Sequence, residues 1–185
     1  MRNKKLFAAL LAGTLAVSMM GTTVFASTGT TTFNYTSGTI VGPGDDEANN
    51  WKITFPVSVT LGENNKAANE SEAATKGSAM KFTLTNKDNG AASSTAVGNG
   101  LSVTASASGW TGAEIAMTGG TGVNMQLLPG ATSQFDGNFL NSGQEIVKLD
   151  TTTTTDTAYA SITSTSTAAA DAKYSAVVTW TVTKS

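Results

Sequence analysis

From Tyr174 to Ser185 the chain reads Y-S-A-V-V-T-W-T-V-T-K-S, a strict alternation that places Tyr174, Ala176, Val178, Trp180 and Val182 on one face. A strand is the regular structure whose side chains repeat every second residue, and aromatic and β-branched residues suit a half-buried pleated surface. The chain is therefore expected to end inside its own core, with no room behind it for a membrane anchor or a sorting tail.

The same period recurs upstream in short bursts separated by Gly-, Asn- and Thr-rich spacers. Phe33 and Tyr35 open the series, and Trp51, Ile53, Phe55, Val57, Val59 and Leu61 form its clearest member. Pro56 lies on the opposite face of that run, where a missing N–H predicts an edge, a bend or a break. Met80-Phe82-Leu84, Leu101-Val103-Ala105, Ile115-Met117 and Val123-Met125-Leu127 follow. Ile146, Val147 and Leu149 make a less regular run, and Tyr159 with Ile162 precedes the terminal strand. The stretch from Lys66 to Lys76 is rich in Ala and Glu but has no apolar stripe to bury, so it reads as a loop with about one helical turn. These signals predict an all-β chain, a single antiparallel β-sandwich of about 7–10 short strands.

The opposite terminus has the pattern of an export signal. Arg2, Lys4 and Lys5 precede an apolar stretch from Leu6 to Met20, and Val24-Phe25-Ala26 fits the small-x-small cleavage rule. Cleavage after Ala26 is expected, leaving a domain over residues 27–185. The apolar stretch is shorter than the ~20 residues a membrane span needs, and it is broken by Gly13, Thr14 and Ser18. No cysteine occurs in the chain, which excludes a lipidated N-terminus and a disulfide framework.

Of the eleven basic residues, three lie in the leader, so the exported domain carries eight lysines against thirteen acids, a net charge of −5. That weakly acidic balance argues against nucleic acid and anionic lipid as partners. Gly42-Pro43-Gly44-Asp45-Asp46-Glu47 gathers turn formers and three acids, but without EF-hand spacing it reads as a solvated loop tip, and no metal or cofactor is expected. Thr151–Thr155 and the Ser/Thr/Ala tract from Ser161 to Ala170 read as extended segments or loops with exposed hydroxyls.

Catalytic chemistry finds little to work with. The chain has no histidine and no cysteine, which removes the Ser-His-Asp triad and the thiol nucleophile. A glycosidase-type carboxylate pair or a Ser-Lys dyad remains conceivable, yet no acid sits in an aromatic pocket motif. The reading is of a non-enzyme with no catalytic residues. Among the three tryptophans, Trp51 and Trp180 fall on apolar strand faces and read as core, whereas Trp110 follows Ala107-Ser108-Gly109 in a turn-like setting and is the first choice for a ligand contact.

The terminal Tyr174-x-x-x-Val178-Thr179-Trp180-x-Val182 pattern resembles the distal Y-x-x-x-L-T-W-x-L motif of the WxL domain, a module of surface proteins in low-GC Gram-positive bacteria. Other pieces fall in a compatible order: the Phe33-Tyr35 segment, Val59-Thr60-Leu61-Gly62, and Gly100-Leu101-Ser102-Val103-Thr104-Ala105-Ser106 where the family carries its first G-W-x-L/V segment. Leu101 stands in place of that tryptophan, and Val178 and Val182 in place of leucines; large aliphatic residues preserve burial there. The resemblance implies a β-domain bound non-covalently to cell-wall peptidoglycan or to other surface proteins. It also implies Leu101, Val103, Tyr174, Thr179, Trp180 and Val182 as motif positions; Tyr174 and Trp180 of the motif join Trp110, chosen for its turn-like setting, as candidate wall or ligand contacts.

Two other readings compete. One is a self-assembling fibre or matrix subunit, in which Thr30–Ile40, set off by Gly42-Pro43-Gly44, adds as a strand to a neighbour's sheet edge. The other is a carbohydrate-binding module centred on Trp110.

Overall fold

The computed structural model describes residues 24–25, 37–42, 46–56, 58–119, 121–167 and 173–184. Within them the chain is an all-β sandwich. Its larger sheet contains β2 (Ser37–Val41), β3 (Lys52–Pro56), β5 (Ser78–Thr85), β11 (Thr155–Thr163), β9 (Asn124–Leu128), β8 (Glu114–Ala116) and β7 (Trp110–Thr111), in that spatial order. The smaller sheet has β6 (Leu101–Ala107) between β10 (Glu145–Leu149) and β13 (Val178–Lys184). A third pairing joins β1 (Val24–Phe25) to β12 (Lys173–Tyr174). Neighbours run antiparallel except at β4 (Lys66–Ala67), which pairs parallel with the end of β11, Ile162 opposite Lys66.

Alternation sets which side of each strand is buried. Ile53 and Phe55 of β3, Met80, Phe82 and Leu84 of β5, and Ala158, Ala160 and Ile162 of β11 point inward. Facing them are Leu101, Val103 and Ala105 of β6 and Val178, Trp180 and Val182 of β13, and the two sets form one core cluster. At its centre the Trp180 ring meets Phe82 edge-on at 5.4 Å and 86°, and Phe55 at 6.2 Å and 65°, while Phe55 and Phe82 stack at 6.2 Å. These offset geometries suit the ring quadrupoles, and they place β13 over β3 and β5.

Several local irregularities have identifiable causes. β3 stops at Pro56, and although Val59 and Leu61 are buried they lie outside any strand. The expected long run therefore breaks at the residue that cannot donate to a ladder. The uneven Ile146-Val147-Leu149 pattern corresponds to a register shift between Glu145 and Val147, a bulge that turns successive apolar residues inward. The terminal alternation keeps its phase from Tyr174 to Val182, yet it is not one strand: Ser175 makes an isolated bridge to Thr118, and regular pairing resumes only at Val178.

The Lys66–Lys76 segment corrects the sequence reading. It holds β4 and a two-turn helix α1 (Glu70–Lys76), capped by Asn69, whose side chain accepts from the Glu72 N–H at 3.0 Å. Glu72 reaches back past the cap to accept from the Ala68 N–H at 2.9 Å. The helix does bury something, since Ala73 packs with Ala67, Leu128, Phe139 and Tyr159. A methyl group in place of a stripe brings the helix close to β11. A second short helix, α2 (Ser94–Val97), is capped by the Ser93 hydroxyl on the Ala96 N–H and buries Ala96 and Val97.

Two exposed carboxylates are held below their ordinary range. The Glu72 carboxyl is lowered first by the Ala68 N–H, then by Lys76. The Asp150 carboxyl is lowered by the Thr152 hydroxyl and by the Thr153 and Thr152 N–H groups. A depressed folded pKa adds stability above the unfolded value of about 4, and that contribution disappears as pH falls through the lower folded value. Thr152→Val is therefore expected to raise the Asp150 titration midpoint in side-chain carboxyl NMR and to lessen the loss of thermal stability on acidification. An unchanged midpoint would mean that the hydroxyl does not hold this carboxylate.

Candidate functional site

The two motif segments, far apart in sequence, are neighbours in space. β6 and β13 pair without a register break, with Ala107 opposite Val178, Ser106 opposite Thr179, Ala105 opposite Trp180, Val103 opposite Val182 and Leu101 opposite Lys184. Period-two alternation then divides the motif residues by face. Leu101, Val103, Trp180 and Val182 point into the core, Thr179 points outward, and Tyr174 is buried just ahead of β13.

Of the candidate contact residues, Tyr174 is 2% and Trp180 1% exposed, so neither presents a ring face to solvent. The Trp180 indole N–H is buried without a hydrogen-bond partner. Trp110 lies elsewhere, at the start of β7 opposite Ile115, in a hairpin that the Ala116 N–H extends by donating to Gly109 O at 3.1 Å. Gly109 adopts φ 75°, a region open to glycine. The Trp110 ring is half-buried against the main core, and its indole N–H is also buried and unpartnered. The three rings thus do not converge on one platform.

On the solvent side of the smaller sheet, the same register aligns hydroxyls that the sequence reading did not single out. Ser106 lies across from Thr179, Thr104 from Thr181 and Ser102 from Thr183. Lys148 of β10 extends the last row, opposite Ser102. The outer face of the larger sheet carries a comparable row, Thr39, Thr54, Thr83 and Thr155, each opposite the next across four strands. The larger-sheet row contains no acid, whereas on the smaller sheet Glu145 of β10 stands opposite Thr104, its carboxylate accepting from the Gln134 N–H at 3.1 Å. The sequence signal of the smaller-sheet rows is the Thr-x-Thr-x-Thr spacing of residues 179–183, which becomes a surface only once the neighbouring strand is known.

Among the remaining acids, Asp46 accepts from the Asn49 side chain at 2.7 Å, while residues 43–45 lie outside the described residues. Among the described residues no three His, Cys, Asp or Glu side chains converge in a metal-binding arrangement, and no helix is long and apolar enough to cross a membrane. Of the proposed donor segment, Ser37–Ile40 is engaged within its own chain on β3, and the residues before Ser37 lie outside the described residues.

No protein-family model matches the chain, and searches of curated proteins and of solved structures return no significant match.

Proposed function

We propose that this is an exported, non-catalytic surface domain that associates non-covalently with cell-wall peptidoglycan in the manner of WxL domains. The observation that supports the reading most directly is the pairing of Leu101–Ala107 with Val178–Lys184. The two segments that carry the resemblance form adjacent strands of one sheet and bury their large residues together. Trp180 and Tyr174 are buried within the fold, so in this reading the wall contact falls to the Ser/Thr rows outside. Hydroxyls both donate and accept, and rows of them match the hydrogen-bonding character of a glycan.

In this reading residues 1–26 are the export leader. Its removal takes Val24 and Phe25 away from Lys173 and Tyr174 and leaves the start of the terminal segment held by the Ser175–Thr118 bridge.

The test is co-sedimentation of the purified chain with protein-free Gram-positive sacculi, beside a tube without them. The chain is expected to pellet only with sacculi, and Thr181→Glu, which puts an anion among the hydroxyl rows on the strand away from Glu145, is expected to abolish most of that pelleting. A chain that stays in the supernatant with sacculi present rejects wall association.

A further inference from the structure

The solvent face of the larger sheet differs in charge from that of the smaller one. On β3 and β5 Ile53, Phe55, Phe82 and Leu84 point into the core, so period-two alternation sends Lys52 and Thr54, and Lys81 and Thr83, outward. In the row Thr39, Thr54, Thr83 and Thr155 the two end residues are exposed and the two middle ones half-buried. Neighbouring strands stand about 4.8 Å apart, so the four hydroxyls cover about 14 Å in a line across the strands.

Charge is unevenly placed around this row. Residues 27–185 hold thirteen acids against eight lysines, yet β2, β3 and β5 contain no acid and two lysines. β3 and β5 run antiparallel with Thr54 opposite Thr83, so Lys52 falls on one side of the threonine row and Lys81 on the other, each about 7 Å along its strand. Lys52 is steadied by donating to Lys87 O at 3.3 Å and to the Asn89 side-chain carbonyl, and Lys81 is exposed. Asp156, the one acid on β11, has the opposite parity to Thr155, and its carboxylate is taken up by Thr132 and Thr157. Asp88 and Asp150 lie in turns beyond the ends of β5 and β10, and Asp150 is occupied by Thr152 and Thr153.

We infer that this face is a second contact for peptidoglycan, on the opposite side of the sandwich from the rows of β6 and β13. It takes a glycan strand laid across β2, β3, β5 and β11, with carboxylates of the peptide substituents meeting Lys52 and Lys81. The inference rests on the wall-association reading and adds to it a face, a direction and a charge. Hydroxyls that both donate and accept fit sugar hydroxyls along the row, and a β-1,4-linked sugar chain repeats at nearly the strand spacing. An ammonium on each flank suits a chain that carries anions along its sides, and the acid-free strands are where a net-acidic domain meets an anionic polymer without repulsion. Contacts on two opposite faces hold two glycan segments at once, so the loss of either face lowers avidity.

The test is quantitative co-sedimentation with sacculi stripped of phosphate-bearing polymers, whose remaining anions are the carboxylates of peptidoglycan. Binding of the purified chain is expected to weaken as salt is raised from about 0.05 to about 0.5 M, where charges this exposed are screened. Lys81→Glu is expected to weaken binding about tenfold at low salt and to flatten the salt dependence. Lys76→Glu, the same change of net charge placed on α1, is expected to weaken it less than about threefold. Both positions are exposed, so both variants are expected to keep the circular dichroism spectrum of the parent chain. A parent chain that stays in the supernatant with both stripped and unstripped sacculi rejects wall association, and this contact with it. Pelleting without salt dependence, or equal losses from Lys81→Glu and Lys76→Glu, overturns this contact and leaves wall association standing. Pelleting only with unstripped sacculi overturns the assignment to carboxylates.

Discussion

Trp180→Ala is expected to destabilise the domain by about 3–5 kcal/mol, as measured by denaturant melts, because it removes a large buried ring and leaves a cavity bounded by rigid neighbours. Phe55 lies on β3 and Phe82 on β5, each anchored in a sheet that pairs on both sides, so neither ring can move far to fill the space. The indole also carries a liability, since its N–H is buried with no partner. An unmade hydrogen bond of this kind costs about 1–3 kcal/mol. Trp180→Phe removes the orphan donor while keeping most of the contact with Phe55 and Phe82, so its loss is expected to stay below about 1.5 kcal/mol. If Trp180→Phe proves as damaging as Trp180→Ala, the N–H has a partner, and the burial account of this residue fails.

The prominence of Trp180 is legible in the sequence, and the reason is geometric. A period of two survives interruptions, so Tyr174, Ala176, Val178, Trp180 and Val182 keep to the core side although Ser175 and Val177 depart from a regular ladder. Pro56 likewise marks a strand end through its own backbone chemistry, whereas the irregular Ile146-Val147-Leu149 run was legible only as an irregularity, and the bulge behind it needed the register against β6. What stayed hidden depends on partners distant in sequence. Helix α1 has no apolar stripe because Ala73 alone meets β11, and a single buried alanine leaves no periodic trace. The hydroxyl rows need the register of β6 against β13, and the placement of Lys52 and Lys81 on either side of a threonine row needs that of β3 against β5. Trp110 illustrates the other limit: its turn setting was legible, but that its ring packs against the main core depends on strands distant in sequence.

A tie between the sheets was equally invisible, and it carries the second large effect. Asp156, at the start of β11, accepts from the Thr132 N–H at 2.9 Å and its hydroxyl at 2.6 Å through one carboxylate oxygen, and from the Thr157 N–H at 2.8 Å through the other. The Thr132 hydroxyl in turn accepts from the Lys148 N–H of β10 at 2.9 Å. A strand of each sheet is thereby linked through one threonine. Asp156→Ala leaves Thr132 and Thr157 donors unpaired in a half-buried site and is expected to cost about 2–3 kcal/mol, the range for hydrogen bonds to a charged acceptor. Gly130 supplies an independent check. A Cβ added there would fall 2.1 Å from the Asp156 carboxylate, so Gly130→Ala must push the loop off its anchor and is expected to cost about 1–3 kcal/mol. With Asp156 already truncated, the added methyl meets nothing from that side chain. Gly130→Ala/Asp156→Ala should then be no less stable than Asp156→Ala alone, to within about 0.5 kcal/mol, a strong departure from additivity in a double-mutant cycle. Additive losses would mean that Gly130 is required by its backbone and not by the carboxylate beside it, and that the link between β10 and β11 does not depend on this loop position.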